Sequence, residues 1–163
     1  GQYVDHVARM FRFINYDEAK AKAAAKLVLA LETQLAEPRL DKVQRRDIRN
    51  FNNPRSVSEL SAITPVIDWN KFIKDMGVTV ALDTVLVMQP KYMKALNTFL
   101  NTTPIEDVKT LMTWSTLDNA AGYLTPEIET ANWEFYSKTL SGSKAQRAAA
   151  LKLMFKSSIL LNL

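Results

Sequence analysis

His6 is the one histidine in 163 residues, and there is no cysteine. A zinc hydrolase of the HExxH type needs two histidines one helical turn apart, so that both face the metal with a glutamate between them as general base. One histidine makes that signature impossible within this chain. A Ser-His-Asp triad would have to use His6, in the stretch YVDHVARM, where Asp5 stands next to it. Adjacent residues of a helix point in different directions, so the pair reads as a half-exposed helix histidine beside a surface acid rather than a dyad. Thiol catalysis and cysteine-zinc clusters are excluded, while the redox compartment stays undecided. Two acidic pairs, Glu127 with Glu129 and Glu106 with Asp107, have the residue types that a glycosidase uses. Both fall in first turns of predicted helices, where negative charge complements the helix dipole, and that reading is preferred. Four glycines form no GxGxxG or GxxxxGK[ST] loop.

Positive charge is concentrated in one place. Residues 39–55 hold Arg39, Lys42, Arg45, Arg46, Arg49 and Arg55 against Asp41 and Asp47, which accounts for the whole formal charge of +4. A nucleic-acid site usually spreads its bases along a face with aromatics interleaved for stacking, and here only Phe51 is near. Within QRRDIRNFNNPRSVSEL the run Asn52-Asn53-Pro54 has turn chemistry and Ser56 can cap the next helix. The segment therefore reads as a corner built by Arg45, Arg46, Asp47, Asn53 and Ser56, with Arg45 or Arg46 paired to Asp47 in a partly buried ion-pair or backbone-capping network.

The elements that must position these groups are mostly helical. NYDEAKAKAAAKLVLALETQL reads as a helix over 15–35 with Asn15 as N-cap and Glu18 reaching back. Its stripe Ala21, Ala24, Val28, Leu31, Leu35 follows one helix face, widened by Leu27 and Ala30. Ser56 with Glu59 makes a capping box; Thr103-Pro104-Glu106 and Thr125-Pro126-Glu127 combine a cap, a first-turn proline and an acid. These signals predict helices near 57–62, 104–121 and 126–140. DWNKFIKDMG predicts a short helix from Asp68 stopped by Gly77, and Pro90 opens another over KYMKALNTFL. DTVLVM, residues 83–88, is β-rich and short, which predicts one extended segment or small strand. A last helix is expected from about Ser143 over KAQRAAALKLMFKSS. The fold class is mainly α, a multi-helix domain. Trp69, Trp114 and Trp133 fall at apolar-stripe positions or their edges, which predicts core or interface packing, with a sugar or peptide platform as the alternative.

A chain of this length suits one domain burying roughly 70% of its unfolded surface. The longest apolar stretch, MGVTVALDTVLVMQP, is interrupted by Asp83 and falls short of the roughly 20 residues of a membrane span, so the chain reads as soluble. It starts at Gly1 and shows no signal-peptide pattern, which suggests a piece of something longer. Asn101-Thr102-Thr103 matches an N-glycosylation acceptor just before a predicted helix.

Read in order, YVDHVARMF, AKLVLALETQLAE, RRDIRNFNNPRSVSEL, IDWNKFI, VLVMQPKYMKAL, DVKTLMTWSTLDNAAGYL and NWEFYSKTLSG resemble the amino-terminal helical domain of the neprilysin and endothelin-converting-enzyme family of zinc metallopeptidases. The order and spacing over about residues 3–147 carry the resemblance, since each phrase alone is only a helix or loop pattern. Two features depart from the family. The earliest part of its helical domain is absent, and residues 147–163 do not follow its usual continuation after the LSG turn.

The resemblance implies two largely helical lobes around a closed cavity, with zinc, HExxH and the downstream glutamate ligand in a carboxy-terminal lobe not present in this chain. It implies that residues 1–163 are a single helical domain, an excised part of the cap, with no catalytic, cofactor-binding or metal residue of its own. The partners implied are the catalytic lobe of the same parent chain and peptide substrates, with no nucleic acid and no membrane contact by this segment. The parent would be extracytoplasmic: secreted, periplasmic or membrane-anchored. The alternative is a stand-alone interaction module binding protein or nucleic acid through segment 39–55; a weaker third reading is a hydrolase using Asp5 and His6.

Overall fold

Capping chemistry decides where the helices begin and end. The computed structural model describes residues 1–146. Among them the order is α1 (Gln2–Phe13), α2 (Glu18–Ala36), two 3-10 turns (Gln44–Arg46 and Ile48–Asn50), β1 (Pro54–Arg55), α3 (Val57–Ile63), α4 (Trp69–Asp75), β2 (Val85–Leu86), α5 (Pro90–Thr102), α6 (Ile105–Ala120), a 3-10 turn (Ala121–Tyr123) and α7 (Pro126–Trp133). A π-helical segment, Glu134–Leu140, continues from α7. The chain is mainly α, as its capping signals and helical periodicity require.

The junction between α1 and α2 differs from the sequence expectation. Asn15 does not cap α2; it has φ 67 and closes α1. Asn15 N–H donates to the Arg12 carbonyl and Tyr16 N–H to the Phe11 carbonyl, the paired bonds of a Schellman motif. The Tyr16 ring lies 4.9 Å from that of Phe11, the apolar contact that accompanies such an end. Asp17 takes over the N-cap of α2, accepting from the Lys20 N–H at 2.8 Å. Asparagine tolerates the left-handed region better than most residues, which is why it serves the preceding helix.

The other starts hold with one exception. Ser56 and Glu59 form the reciprocal capping box of α3. Asp68 accepts from Lys71 N–H at the start of α4. Gly77, at φ 80, ends α4, with its own N–H donating to the Lys74 carbonyl and Val78 N–H to that of Ile73. Pro90 and Pro126 occupy first turns, where a missing N–H costs nothing. Thr103, expected to cap α6, instead ends α5 in extended conformation, and the Pro104 carbonyl accepts the first N–H groups of α6. The helix expected from about Ser143 lies mostly on residues outside those described, and residues 143–146 carry no regular element.

The chain divides into two compact units: Gly1–Lys26 with Met112–Leu163, and Leu27–Leu111. The first has an aromatic core. Val7, Met10 and Phe11 of α1 are fully buried, as is Ala121, and Trp114, Leu117, Ile128, Ala131 and Phe135 are nearly so. Trp114 Nε1 donates to the Tyr3 hydroxyl at 3.1 Å, and the two rings meet edge to face. Asp118 accepts from Asn132 and from the Tyr136 hydroxyl, which ties α6 to α7 and its continuation. The alanine-rich start of α2 buries Ala21, Ala24 and Ala25.

The second unit has a thinner core of Val28, Leu31, Leu60, Thr64, Val87 and Phe99. Ala30, expected to widen the buried face of α2, is exposed. The short β segment expected at 83–88 finds a partner in the basic corner: β2 pairs antiparallel with β1, Pro54 opposite Leu86 and Arg55 opposite Val85. Val87 N–H extends the pairing to the Asn53 carbonyl at 3.0 Å.

Candidate functional site

His6 is not the half-exposed residue that its sequence neighbourhood suggests. It is 6% exposed, and its ring stacks on Phe135 with centroids 4.4 Å apart and planes 6° from parallel. Trp114 and Tyr136 present edges to it at 5.8 and 5.6 Å. The reason is tertiary: the helix face that carries Val7, Met10 and Phe11 into the core carries His6 to its margin, where the aromatic face of the π-helical segment covers it. Burial, and then the nearby Arg9 guanidinium, lower its pKa from 6.5 to about 4. Its Nε2 has no hydrogen-bond partner among the described residues. Asp5 is exposed on α1. A general base needs an orienting partner, and no hydrogen bond joins Asp5 to His6 among the described residues.

His6 and Phe135 help to line an open cleft of ≈ 430 Å³, with Gln2, Asp5, Arg9, Glu134 and Lys138 around them. Arg9 and Glu134 close an ion pair across it at 2.5 Å, and that contact lowers the Glu134 pKa. The opposing charges are satisfied by one another, so the cleft presents no excess of either sign.

The acidic pairs are helix-start chemistry. Glu106 bonds Lys109 three residues on. The Glu127 pKa is lowered by its own backbone N–H and by the Thr125 hydroxyl. No group of three or more His, Cys, Asp or Glu side chains among the described residues could hold a metal ion.

The basic segment is organised around Asp47. Its carboxylate caps the second 3-10 turn by accepting from Arg49 N–H and pairs with the Arg49 guanidinium through both oxygens. The Arg49 bonds lower the Asp47 pKa and raise that of Arg49. Arg49, not Arg45 or Arg46, is thus the ion-pair partner. Asp47 is the N-cap of that turn, so its carboxylate is turned onto the N–H of Arg49 and within reach of the same residue's guanidinium. Arg45 and Arg46 are exposed on the first 3-10 turn, and their side chains make no hydrogen bond or ion pair among the described residues. Asn50 donates to the Gln44 carbonyl and Asn53 to the Asn50 carbonyl, which closes the turn. Ser56, next to β1, holds α3. Arg39 lies over the Tyr92 ring and donates to its hydroxyl. The Gln89 side chain accepts from Leu40 N–H.

A second pocket, ≈ 290 Å³ and mostly apolar, is framed by Leu60, Trp69, residues 85–89, Tyr92 and Met93. Trp69 Nε1 is shut off from water and has no acceptor among the described residues. Trp114 is a core residue, whereas Trp69 and Trp133 are half-buried. The sequence offered no signal for this pocket, because it is assembled from three separate segments. No helix among the described residues is long and apolar enough to cross a membrane.

The class these observations define is a mainly helical chain with no cluster of three or more metal-ligating side chains among the described residues. The profile of the amino-terminal part of peptidase family M13 matches residues 1–156, and the chain belongs to that family. It is 22% identical over 146 residues to endothelin-converting enzyme 1 of Cavia porcellus, covering 87% of this chain and 19% of that protein. It is 23% identical over 152 residues to an endothelin-converting enzyme homolog of Locusta migratoria, covering 87% and 21%. Among solved structures it is similar to the zinc metalloprotease ZMP1 of Mycobacterium tuberculosis in its open state, with TM-score 0.82, 29% identity, and 90% and 23% of the two chains covered. A partially open state of the same protease gives 0.74 and 31%. The chain spans about a fifth of the length of these relatives.

Proposed function

We propose that the chain is a non-catalytic part of the cap lobe of a zinc metalloendopeptidase, which helps enclose the active-site cavity and limits substrates to oligopeptides. The observation that carries this is the family match along nearly the whole chain, in a chain whose single histidine is stacked on Phe135 rather than free for chemistry. In this reading zinc and the groups that polarise the peptide bond belong to the rest of the parent polypeptide. This segment contributes sterics: a wall that a folded protein cannot pass. Its partners are the catalytic lobe of the same chain and peptide substrates, and the parent works outside the cytoplasm.

The corner of Arg45, Arg46, Asp47, Asn53 and Ser56 is, on this proposal, a structural device. Asp47 and Asn53 close the turn and the Asn53 carbonyl receives Val87 N–H, while Ser56 starts α3. Arg45 and Arg46 stand on its outer surface.

Peptidase assays on the 163-residue chain and on its full-length parent test the reading. The chain supplemented with zinc leaves peptides intact, and the parent cleaves short peptides, spares folded proteins and loses activity to a chelator. Chelator-sensitive cleavage by the chain alone, or a parent that digests folded proteins as readily as peptides, would sink it.

A further inference from the structure

Two exposed stretches of the second unit are built in opposite ways. Residues 41–50 are folded back on themselves: Asp41 accepts from the N–H groups of Val43 and Gln44, Asp47 from that of Arg49, and Asn50 donates to the Gln44 carbonyl. Between Gly77, which ends α4 at φ 80, and β2 the chain has no such ties. Every residue from Lys74 to Thr84 is exposed. Val78 N–H bonds the Ile73 carbonyl and Val87 N–H that of Asn53, but residues 79–84 make no hydrogen bond, ion pair or ring contact among the described residues.

An endopeptidase holds its substrate as an extended strand and pairs with the substrate's own backbone groups. A segment whose N–H and C=O groups already serve a turn must open first, and its cleavage is slowed by the cost of opening. Residues 79–84 have no such bonds to give up. Their side chains select the enzyme. No Lys or Arg lies between Lys74 and Lys91, and the loop reads Val78-Thr79-Val80-Ala81-Leu82, with Val80 69% exposed and Leu82 37%. The Ala81–Leu82 bond has a small residue on its carbonyl side and a large apolar one on its amine side, which suits enzymes with small or apolar specificity pockets.

We infer that residues 78–84 are a processing site, where an endopeptidase of apolar specificity hydrolyses the Ala81–Leu82 bond in the folded protein. Water adds across the amide, leaving a carboxylate on Ala81 and an ammonium on Leu82. The two pieces stay together because contacts on either side of the cut join them. In the second unit β2 pairs with β1, Val66 N–H donates to Asn97 and Leu40 N–H to Gln89. In the first, His6 is stacked on Phe135 and Trp114 is bonded to Tyr3. With no cysteine to link them, the pieces part on unfolding, and refolding becomes a two-body event. The cut therefore leaves the folded protein standing and removes its way back once unfolded, a device for turnover that does not depend on the cap reading.

Limited digestion of the 163-residue chain and of its full-length parent by elastase and, separately, by thermolysin decides it, with fragments identified by mass spectrometry. The first cut within residues 1–146 is expected inside 78–84 with either enzyme, and the two pieces should run together in native size exclusion and apart in urea. Leu82→Pro gives up no hydrogen bond and should slow that cut at least about 10-fold, with Leu82→Asp in its place if the proline impairs folding. Relative to each enzyme's rate on the unfolded chain, trypsin at Arg45 or Arg46 should be held back at least about 10-fold more than elastase at Ala81. A first cut elsewhere in residues 1–146, pieces that separate in native buffer, or a parent whose loop resists both enzymes overturns the inference.

Discussion

Acidification should destabilise this chain through His6 alone over a defined window. The folded-state pKa is about 4, depressed by burial and then by Arg9, while an unfolded histidine titrates near 6.5. Between those values the unfolded chain binds a proton that the folded chain refuses. The His6 contribution is therefore fully present above about pH 6.5, is lost as pH falls toward about 4, and does not change further below. Linkage over the interval from pH 7 to pH 5 gives a loss of about 2 kcal/mol, or a fall of about 5 °C in Tm for a chain of this size. The groups around the ring are Asp5 and Arg9 on α1, and Glu134, Tyr136 and Lys138 on the π-helical segment. Arg9 is held by Glu134, so the guanidinium stays near the imidazole until that carboxylate protonates. Chemical denaturation of the native chain and of His6→Phe at pH 5, 6 and 7 is the assay. The variant keeps a ring on Phe135 and should lose this part of the pH dependence. Because His6 is the single histidine, its NMR titration needs no assignment by mutation. A midpoint near 6.5, or equal pH slopes for the two proteins, refutes the argument.

Four further outcomes follow from the same contacts. Ser56→Ala removes the cap of α3 and should cost about 1 kcal/mol in urea denaturation. Gly77→Ala places a Cβ at φ 80 and should cost about 1 kcal/mol, from backbone conformation rather than crowding, since open space surrounds the site. Phe135→Ala strips the cover from His6 and opens the aromatic core; a loss of about 3–5 kcal/mol is expected, with the histidine midpoint moving up toward its ordinary value in NMR. Neutralising Arg45 and Arg46 together should leave Tm within about 2 °C, because both side chains stand in solvent; steeply salt-dependent RNA binding by the native chain, abolished in this variant, would favour an interaction module instead.

Much of the secondary structure was legible because its causes are local. Ser56-x-x-Glu59, Asp68, Gly77, Pro90 and Pro126 act within a few residues of themselves, through hydrogen bonds and torsions that the sequence specifies directly. The errors at Asn15 and Thr103 share one origin: each sits between two helices, and a residue able to start one can also finish the other. Tertiary packing of α1 and the closing geometry of each helix end chose between them.

The sequence by itself determined that the chain is mainly helical, that it carries no HExxH zinc site, and that its order of helix and loop phrases is that of the amino-terminal part of a metallopeptidase family. Composition, capping and spacing are properties of the string, and folding does not alter them. Only the tertiary structure decided that His6 is buried on Phe135 and that the corner supplies the strand against which Val85–Leu86 pairs, and the local geometry of a turn decided that Asp47 takes Arg49 as its partner. Each depends on residues distant in sequence or on the pitch of a turn meeting at one place. Burial of a ring and the pairing of an edge are fixed by what the rest of the chain brings alongside.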